Sequence, residues 1–285
     1  MKKILRSVRD SFFAPIFERK SGIAGLVIVS GFVLLIVFGR YLVPYGPYAT
    51  SAEAESPPSL AHLLGTDYQG KDILSELLWG AIPSVSIGVA GSLGAVLIGL
   101  VVGSLAGYFQ RLEGLLTGMT DVMIMFPAVP LIVLIGAIRY PSTIEFAALL
   151  ALILWPPIAR SIRSQVLSVR EMPFIEVARV SGMSDFEILS KLIVRSVASL
   201  SFAYFVLTAA AGIVLVTGLE YVGVGNPDVV SWGSMVYWAQ QFGFYAGAWW
   251  WIIAPGIAIS LLTTGFALIG FSMEETFNPR LRSSS

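Results

Sequence analysis

The stretch Pro173-Phe-Ile-Glu-Val-Ala-Arg-Val-Ser-Gly-Met-Ser-Asp-Phe-Glu-Ile188 reads as a helix, a stop and a second helix start, set between segments apolar enough to cross a bilayer. Pro173 suits the first helical position, where its missing N–H has no intrahelical partner to lose. Phe174, Ile175, Ala178 and Met183, or Val177 and Val180, can form an apolar face, with Glu176 and Arg179 on the polar side. Gly182 stands where a left-handed stop is wanted. Ser184 and Glu187 have the S-x-x-E spacing of a capping box, and Asp185 adds negative charge to the new first turn. A rigid two-helix elbow near 173–186 is expected, running on into the next apolar segment. Such an elbow can transmit a push.

The surroundings set its context. The 285 residues are 56% hydrophobic and 13% charged, with a mean hydropathy of +0.80. Soluble domains carry roughly a quarter charged residues, so the composition points to a polytopic, all-α membrane protein. Apolar runs near Gly22–Val43, Ala81–Tyr108, Leu115–Ile138, Ile144–Ile162, Ile193–Thr217 and Trp249–Phe271 are each about as long as the ~20 residues a helical span needs. Six spans are expected. With no cysteine, disulfides, thiolate metal sites and cysteine nucleophiles are excluded. The N-terminal apolar run is too long for a secretory h-region and lacks a small-residue cleavage site, so it reads as an uncleaved first span.

Basic residues set the orientation. Lys2, Lys3, Arg6, Arg9, Arg19 and Lys20 precede the first span, and Arg160, Arg163, Arg170, Arg179, Lys191 and Arg195 surround the elbow. Arg111, Arg280 and Arg282 fall on the same side, against only Arg40, Lys71 and Arg139 on the other. Both termini and the elbow are therefore expected in the cytoplasm of a plasma-membrane protein, with loops near 44–80, 139–143 and 218–248 outside. Glu171, Glu176, Asp185 and Glu187 disfavour an anionic lipid surface, so the elbow is expected to dock on a soluble protein.

Residues 1–20 suit a short interfacial helix. Residues 1–80 are expected to form this helix, an anchoring first span and an external segment. Residues 81–285 are then a five-span core. In the second span, Ala95, Gly99, Gly103 and Gly107 recur every four residues, a row that lets backbones approach closely and should pack on another helix, of the same subunit rather than across a subunit interface. Pro83, Pro127, Pro130, Pro156, Pro157 and Pro255 interrupt the spans.

Other polar residues are less telling. Asp121, in the third span, either faces the bundle as a pathway residue or hydrogen-bonds a neighbour near the interface. His62 stands alone in an external loop and suits a structural or surface role better than metal binding, which needs three or four ligands. Glu220 and Asp228 either touch an external partner or shape a turn. Trp232, Tyr237, Trp238, Trp249, Trp250 and Trp251 read as an interfacial aromatic belt. An ion-coupled transporter would need a relay of intramembrane ionisable groups, for which only Asp121 is a candidate, with Glu145 near a span's end. An intramembrane zinc protease would need H-E-x-x-H, which is missing, and a serine protease would need His62 at membrane depth.

The elbow resembles the loop motif of integral permease subunits of ABC importers, which runs Glu-Ala-Ala, then Gly four residues on, then an apolar residue six further. Glu176-Val177-Ala178, Gly182 and Ile188 occupy those positions, with Val177 replacing the first alanine. Downstream, Leu192-Ile-Val-Arg195 stands where related permeases often have His-Ile-Leu-Pro. The likeness covers nearly the whole chain and is closest to the C-type permease of dipeptide, oligopeptide and nickel importers. His62-Leu-Leu-Gly-Thr-Asp67 with Gly70-Lys-Asp72-Ile-Leu-Ser75 resembles that group's external signature, with Leu63 for proline. Glu113, Asp121 and Phe126-Pro127 resemble its third-span pattern, with Gly118 where arginine is common. Gly223-Val-Gly225, Trp232-Gly233, Trp249-Trp-Trp251, Pro255-Gly256 and Asn278-Pro-Arg-Leu-Arg282 complete it.

The resemblance implies a permease paired with a B-type partner, two cytoplasmic ATPase subunits and an external solute-binding protein. Glu176, Val177, Ala178, Arg179, Gly182, Ser184 and Asp185 would couple to the ATPase. ATP and Mg would bind in those partners and not here, in keeping with the lack of a G-x-x-x-x-G-K-[ST] loop. Nothing points to nucleic acid. The implied cargo is a di- or oligopeptide, with oligosaccharide, nickel or glutathione as alternatives within the same importer class.

Overall fold

The computed structural model describes residues 16–243 and 247–277. The expected interfacial helix over residues 1–20 lies outside these apart from its last residues, as does the motif at 278–282. Among the described residues, five helices are long and apolar enough to cross a membrane: α1 (Lys20–Leu42), α2 (Ile73–Tyr108), α5 (Thr143–Arg170), α7 (Asp185–Tyr221) and α9 (Trp249–Phe277). Shorter helices are α3 (Gln110–Met125), α4 (Ala128–Ile138), α6 (Pro173–Val180) and α8 (Trp232–Trp238). Among the described residues the only β pairing is two isolated bridges, Thr50–Lys71 and Thr66–Asp72.

The third expected span, Leu115–Ile138, is not one straight helix. α3 and α4 meet at a 70° bend across Phe126-Pro127, so six spans result only if this broken pair counts as one. Proline forces the residue before it out of helical backbone, and Phe126 is extended at φ −71°, ψ 131°. Neither half alone reaches the roughly 20 residues of a full crossing.

α2 begins eight residues ahead of the expected Ala81, so the expected boundary at 80/81 falls inside it. Asp72 caps the helix, its Oδ2 accepting the Ser75 amide (2.8 Å) and hydroxyl (2.7 Å). Glu76 in that first turn breaks the apolar pattern and hides the start from hydropathy. α7 is also longer than its expected Ile193–Thr217. It includes a π-helical turn at Ile188–Ile193, where the elbow passes into the span.

α2 is the central helix. Its small-residue row seats α5: a Cβ at Gly99 would lie 2.8 Å from Ile158, at Gly103 2.5 Å from the Ala159 carbonyl, and at Gly107 2.8 Å from Val166. The row is an intra-subunit seam. α7 packs on α2 nearer its N-terminal half, with Gly88 against Ile213. α1 lies on α9 through Gly25 and Gly265. Only 17% of the most apolar stretch of α1 is buried, against 33–44% in the other four, so α1 is peripheral.

The expected aromatic belt is corrected in part. Trp232 and Trp251 are each 1% exposed and belong to the core at the end opposite the elbow; Trp249 stays exposed. Trp232 is fixed by polar contacts a lipid-facing ring lacks: its amide donates to Ser84 Oγ (2.8 Å) and its indole to the Leu77 carbonyl (2.9 Å).

Candidate functional site

The elbow forms as its residue pattern dictates. Pro173 occupies the first turn of α6. At the far end the Gly182 amide donates to Arg179 (3.1 Å) and the Met183 amide to Ala178 (3.1 Å), the paired bonds of a Schellman stop. Gly182 has φ +85°, while a Cβ there would meet nothing within 4 Å. Conformation, not space, requires glycine.

The next start is equally defined. Ser184 Oγ accepts the Glu187 amide (3.3 Å), and Glu187 Oε2 accepts the Ser184 amide (3.2 Å), closing the capping box. Lys191 Nζ donates to Glu187 Oε1 (2.7 Å) one turn on. Asp185, besides lying in that first turn, accepts the Tyr108 hydroxyl (2.5 Å) and so ties the elbow to the end of α2. Arg170 donates to the Gly107 carbonyl at that same terminus (3.1 Å).

The structure selects one of the two possible apolar faces. Ile175 (1% exposed) and Ala178 (8%) turn inward, with Met183 alongside, onto Val166, Val169, Ile188 and Ile193. Phe174, Val177, Val180 and Phe186 stay open, Val180 at 84% and Phe186 at 75%. Glu176 and Arg179 flank this open apolar strip and are exposed. The Tyr108 phenol, with Asp185 and Glu176 nearby, holds the Arg179 guanidinium more firmly protonated than usual. A braced helix with exposed apolar side chains ringed by charge suits a partner surface. Arrangement therefore brings all seven elbow residues together: Ala178 packs inward, Gly182, Ser184 and Asp185 shape the turn, and Glu176, Val177 and Arg179 face out.

Asp121 lies elsewhere. Its carboxylate takes a hydrogen bond from Arg160 of α5 (2.6 Å) and is 44% exposed, so it is an ion-paired residue between α3 and α5. Glu113 pairs with Arg163 one row along the same two helices. These pairs explain Glu113 and Asp121 of the third-span pattern as one ladder, which spacing alone did not reveal because the partners lie about 40–50 residues away.

At the end opposite the elbow, residues 44–72 fold over the start of α2. His62 is buried, its Nδ1 3.0 Å from Asp72 Oδ1 and its ring stacked on Tyr45. Of the structural and surface roles open to His62, its burial and its Asp72 contact fit the structural one. Asp67 Oδ1 accepts the amides of Gln69 (2.8 Å) and Lys71 (2.7 Å). Burial nonetheless pushes the Asp67 carboxyl above its ordinary range. Glu220 is buried and accepts the Ser231 hydroxyl (2.8 Å), wrapped by Gly225 and Gly233. It is a turn-shaping residue, not a surface contact.

Comparison with known proteins agrees with this arrangement. Residues 95–283 match the family described as binding-protein-dependent transport system inner membrane component. A Brucella suis protein that carries the name of a peptide transport system permease is 31% identical, over 94% of this chain and 90% of that one. The dipeptide transport system permease protein DppC of Alkalihalophilus pseudofirmus is 31% identical, over 95% of this chain and 90% of its own. The glutathione transport system permease protein GsiD of Pectobacterium atrosepticum is 27% identical, over 99% and 94%. With its apolar helices, its capped elbow and a family match across two thirds of its length, the chain belongs to the inner membrane components of binding-protein-dependent transport systems: it is a multi-pass ABC importer permease, the membrane subunit and not a catalytic one.

Proposed function

We propose that this permease moves di- and oligopeptides inward, receiving them from an external solute-binding protein and working by alternating access with a B-type permease and two cytoplasmic ATPases. Peptide cargo is supported by the relatives named for peptide, dipeptide and glutathione transport. The charge asymmetry supports cytoplasmic termini and a cytoplasmic elbow. ATP and Mg act in the partner subunits, and α1 with the segment leading to α2 anchors a core that begins at α2.

One observation carries the coupling role: a short helix, locked at both ends, that leaves Phe174, Val177, Val180 and Phe186 open. Closure of the ATPase pair moves the elbow, and the capping box passes that movement directly into α7. Inverting a 1:99 equilibrium between bundle states needs about 5.5 kcal/mol of differential input. A floppy loop would dissipate such a push. In reconstituted importer, Glu176→Lys and Val180→Glu should leave the subunit inserted but uncouple ATPase stimulation from uptake. Normal uptake in both variants would exclude the coupling assignment. Uptake that survives an uncoupler and stops with vanadate separates this reading from an ion-coupled transporter, whose expected relay candidate Asp121 is ion-paired with Arg160.

A further inference from the structure

At the end opposite the elbow lies a cavity of about 210 Å³ between the 44–72 segment, the start of α2, α8 and α9. Three carboxyl groups line it, from Asp67, Glu76 and Asp228. Its walls include the rings of Tyr68, Trp238 and Trp251. Tyr68 is stacked on Trp251 (5.7 Å between centroids) and on Phe242 (4.4 Å), so these faces are held in place.

Glu76 is the unexplained group. It is 6% exposed, and its Oε2 has no hydrogen-bond partner among the described residues. A carboxyl buried without a donor is destabilising until a donor arrives. Glu220, buried to a similar extent in the last turn of α7, has its Ser231 donor; Glu76 has none among the described residues. Nothing in the fold needs an acid at this position, since Asp72 already caps α2.

The charge balance says what the donor is. Lys71 is the one cation lining the cavity, its Nζ 5.8 Å from the Tyr48 ring centroid, and it makes no ion pair among the described residues. No cation among the described residues pairs with Glu76, so the cavity has a place for a second one. A chelated metal is disfavoured, because among the described residues no three acidic or histidine side chains converge as metal ligands. Carboxylates with aromatic faces instead match an ammonium group, which donates hydrogen bonds to the former and is attracted by the ring quadrupole of the latter. The volume is below that of a pocket for a drug-sized molecule, so it admits one end of a ligand.

We propose that this cavity binds a primary ammonium group, and that in the working importer the group is the α-ammonium of a peptide; this second half rests on the peptide reading above. The cavity would then hold a cargo by its amino terminus at the mouth of the permease, with Glu76 as the buried acceptor and Asp228, which is exposed, at the rim.

The test uses the full-length chain assembled with its permease and ATPase partners in nanodiscs, without the external binding protein, titrated calorimetrically with ethylammonium chloride, Ala-Ala and N-acetyl-Ala-Ala. Expected is saturable binding of the first two, none of the acetylated peptide, and a loss of about tenfold or more in Glu76→Gln, the effect of one charge-assisted hydrogen bond. Asp228→Asn, at the exposed rim, tests the same point should Glu76→Gln not assemble, and should weaken both amines. Equal binding of the acetylated peptide, or amine binding indifferent to both variants, overturns the site. Ethylammonium binding that depends on Glu76 without any for Ala-Ala keeps the ammonium site and overturns its assignment to peptide. Variants that weaken only the attachment of the external binding protein make the cavity a docking surface and also overturn it.

Discussion

Replacing Gly182 in turn by asparagine, alanine and proline isolates the left-handed stop of the elbow from every other contact. The φ of +85° costs an L-residue with a plain Cβ about 1–2 kcal/mol. Nothing lies within 4 Å of the added methyl, so no steric term is added. That penalty raises the opened population of the elbow by about 5–30-fold. Asparagine tolerates the left-handed region and should lose much less. Proline cannot reach this φ, loses the Gly182 amide bond to Arg179 (about 1 kcal/mol more), and pushes Ser181 out of its near-helical backbone at φ −73°, ψ 2°. The order of damage is therefore asparagine, alanine, proline. Hydrogen exchange by mass spectrometry over residues 173–188 of the intact complex reads the opening directly, and ATP-driven uptake reads its consequence. Exchange in the alanine variant indistinguishable from the parent, or as fast in asparagine as in alanine, would refute the argument that backbone conformation alone holds this corner. Faster exchange with undiminished uptake would spare the stop but refute the claim that transport needs a stiff elbow.

Three further outcomes follow from the packing. Ile175→Ala, at a side chain 1% exposed, should destabilise the elbow by about 2–4 kcal/mol in a detergent melt. Val177→Asp, at 65% exposure, should leave that melt within about 0.5 kcal/mol while lowering ATPase stimulation. Gly103→Leu should prevent recovery of folded protein on size exclusion, because its Cβ alone would sit 2.5 Å from the Ala159 carbonyl. Burial raises the Asp67 carboxyl above its ordinary 3.8, so its contribution to stability is greatest at acid pH and falls as pH rises from that value through the folded one. Asp67→Asn, whose carbonyl can still accept the Gln69 and Lys71 amides, should flatten that part of a melting-temperature profile against pH.

Local chemistry was the legible part. Pro173, Gly182, Ser184 and Glu187 each act within four residues of themselves, so the elbow could be drawn before any packing was known. The small row from Ala95 to Gly107 likewise announced a close seam, because a missing side chain means the same thing wherever the partner comes from. Harder to read were features whose partner is distant. The bend at Phe126-Pro127 hid inside an apolar run, since hydropathy counts proline without regard to the angle it makes. Glu76 obscured the start of α2 for the opposite reason, a polar residue in a helix that a cap 4 residues earlier had already begun. Trp232 and Trp251 have the composition of an interfacial belt, and only their buried neighbours distinguish them from Trp249.

The sequence by itself determined that this is a helical membrane protein with a stiff, capped elbow, because helix caps, glycine stops and spans of apolar residues are short-range properties of the chain. Tertiary structure decided which face of that elbow is open, since both apolar faces satisfy the pattern and only the packing of Ile175 and Ala178 on Val166, Ile188 and Ile193 leaves Val177 and Val180 outside. It also decided the fate of the buried acids. Glu76 and Glu220 look alike in sequence, yet one meets a serine hydroxyl and the other an empty-handed cavity, because a hydrogen-bond partner is supplied by the fold and not by the neighbouring residues.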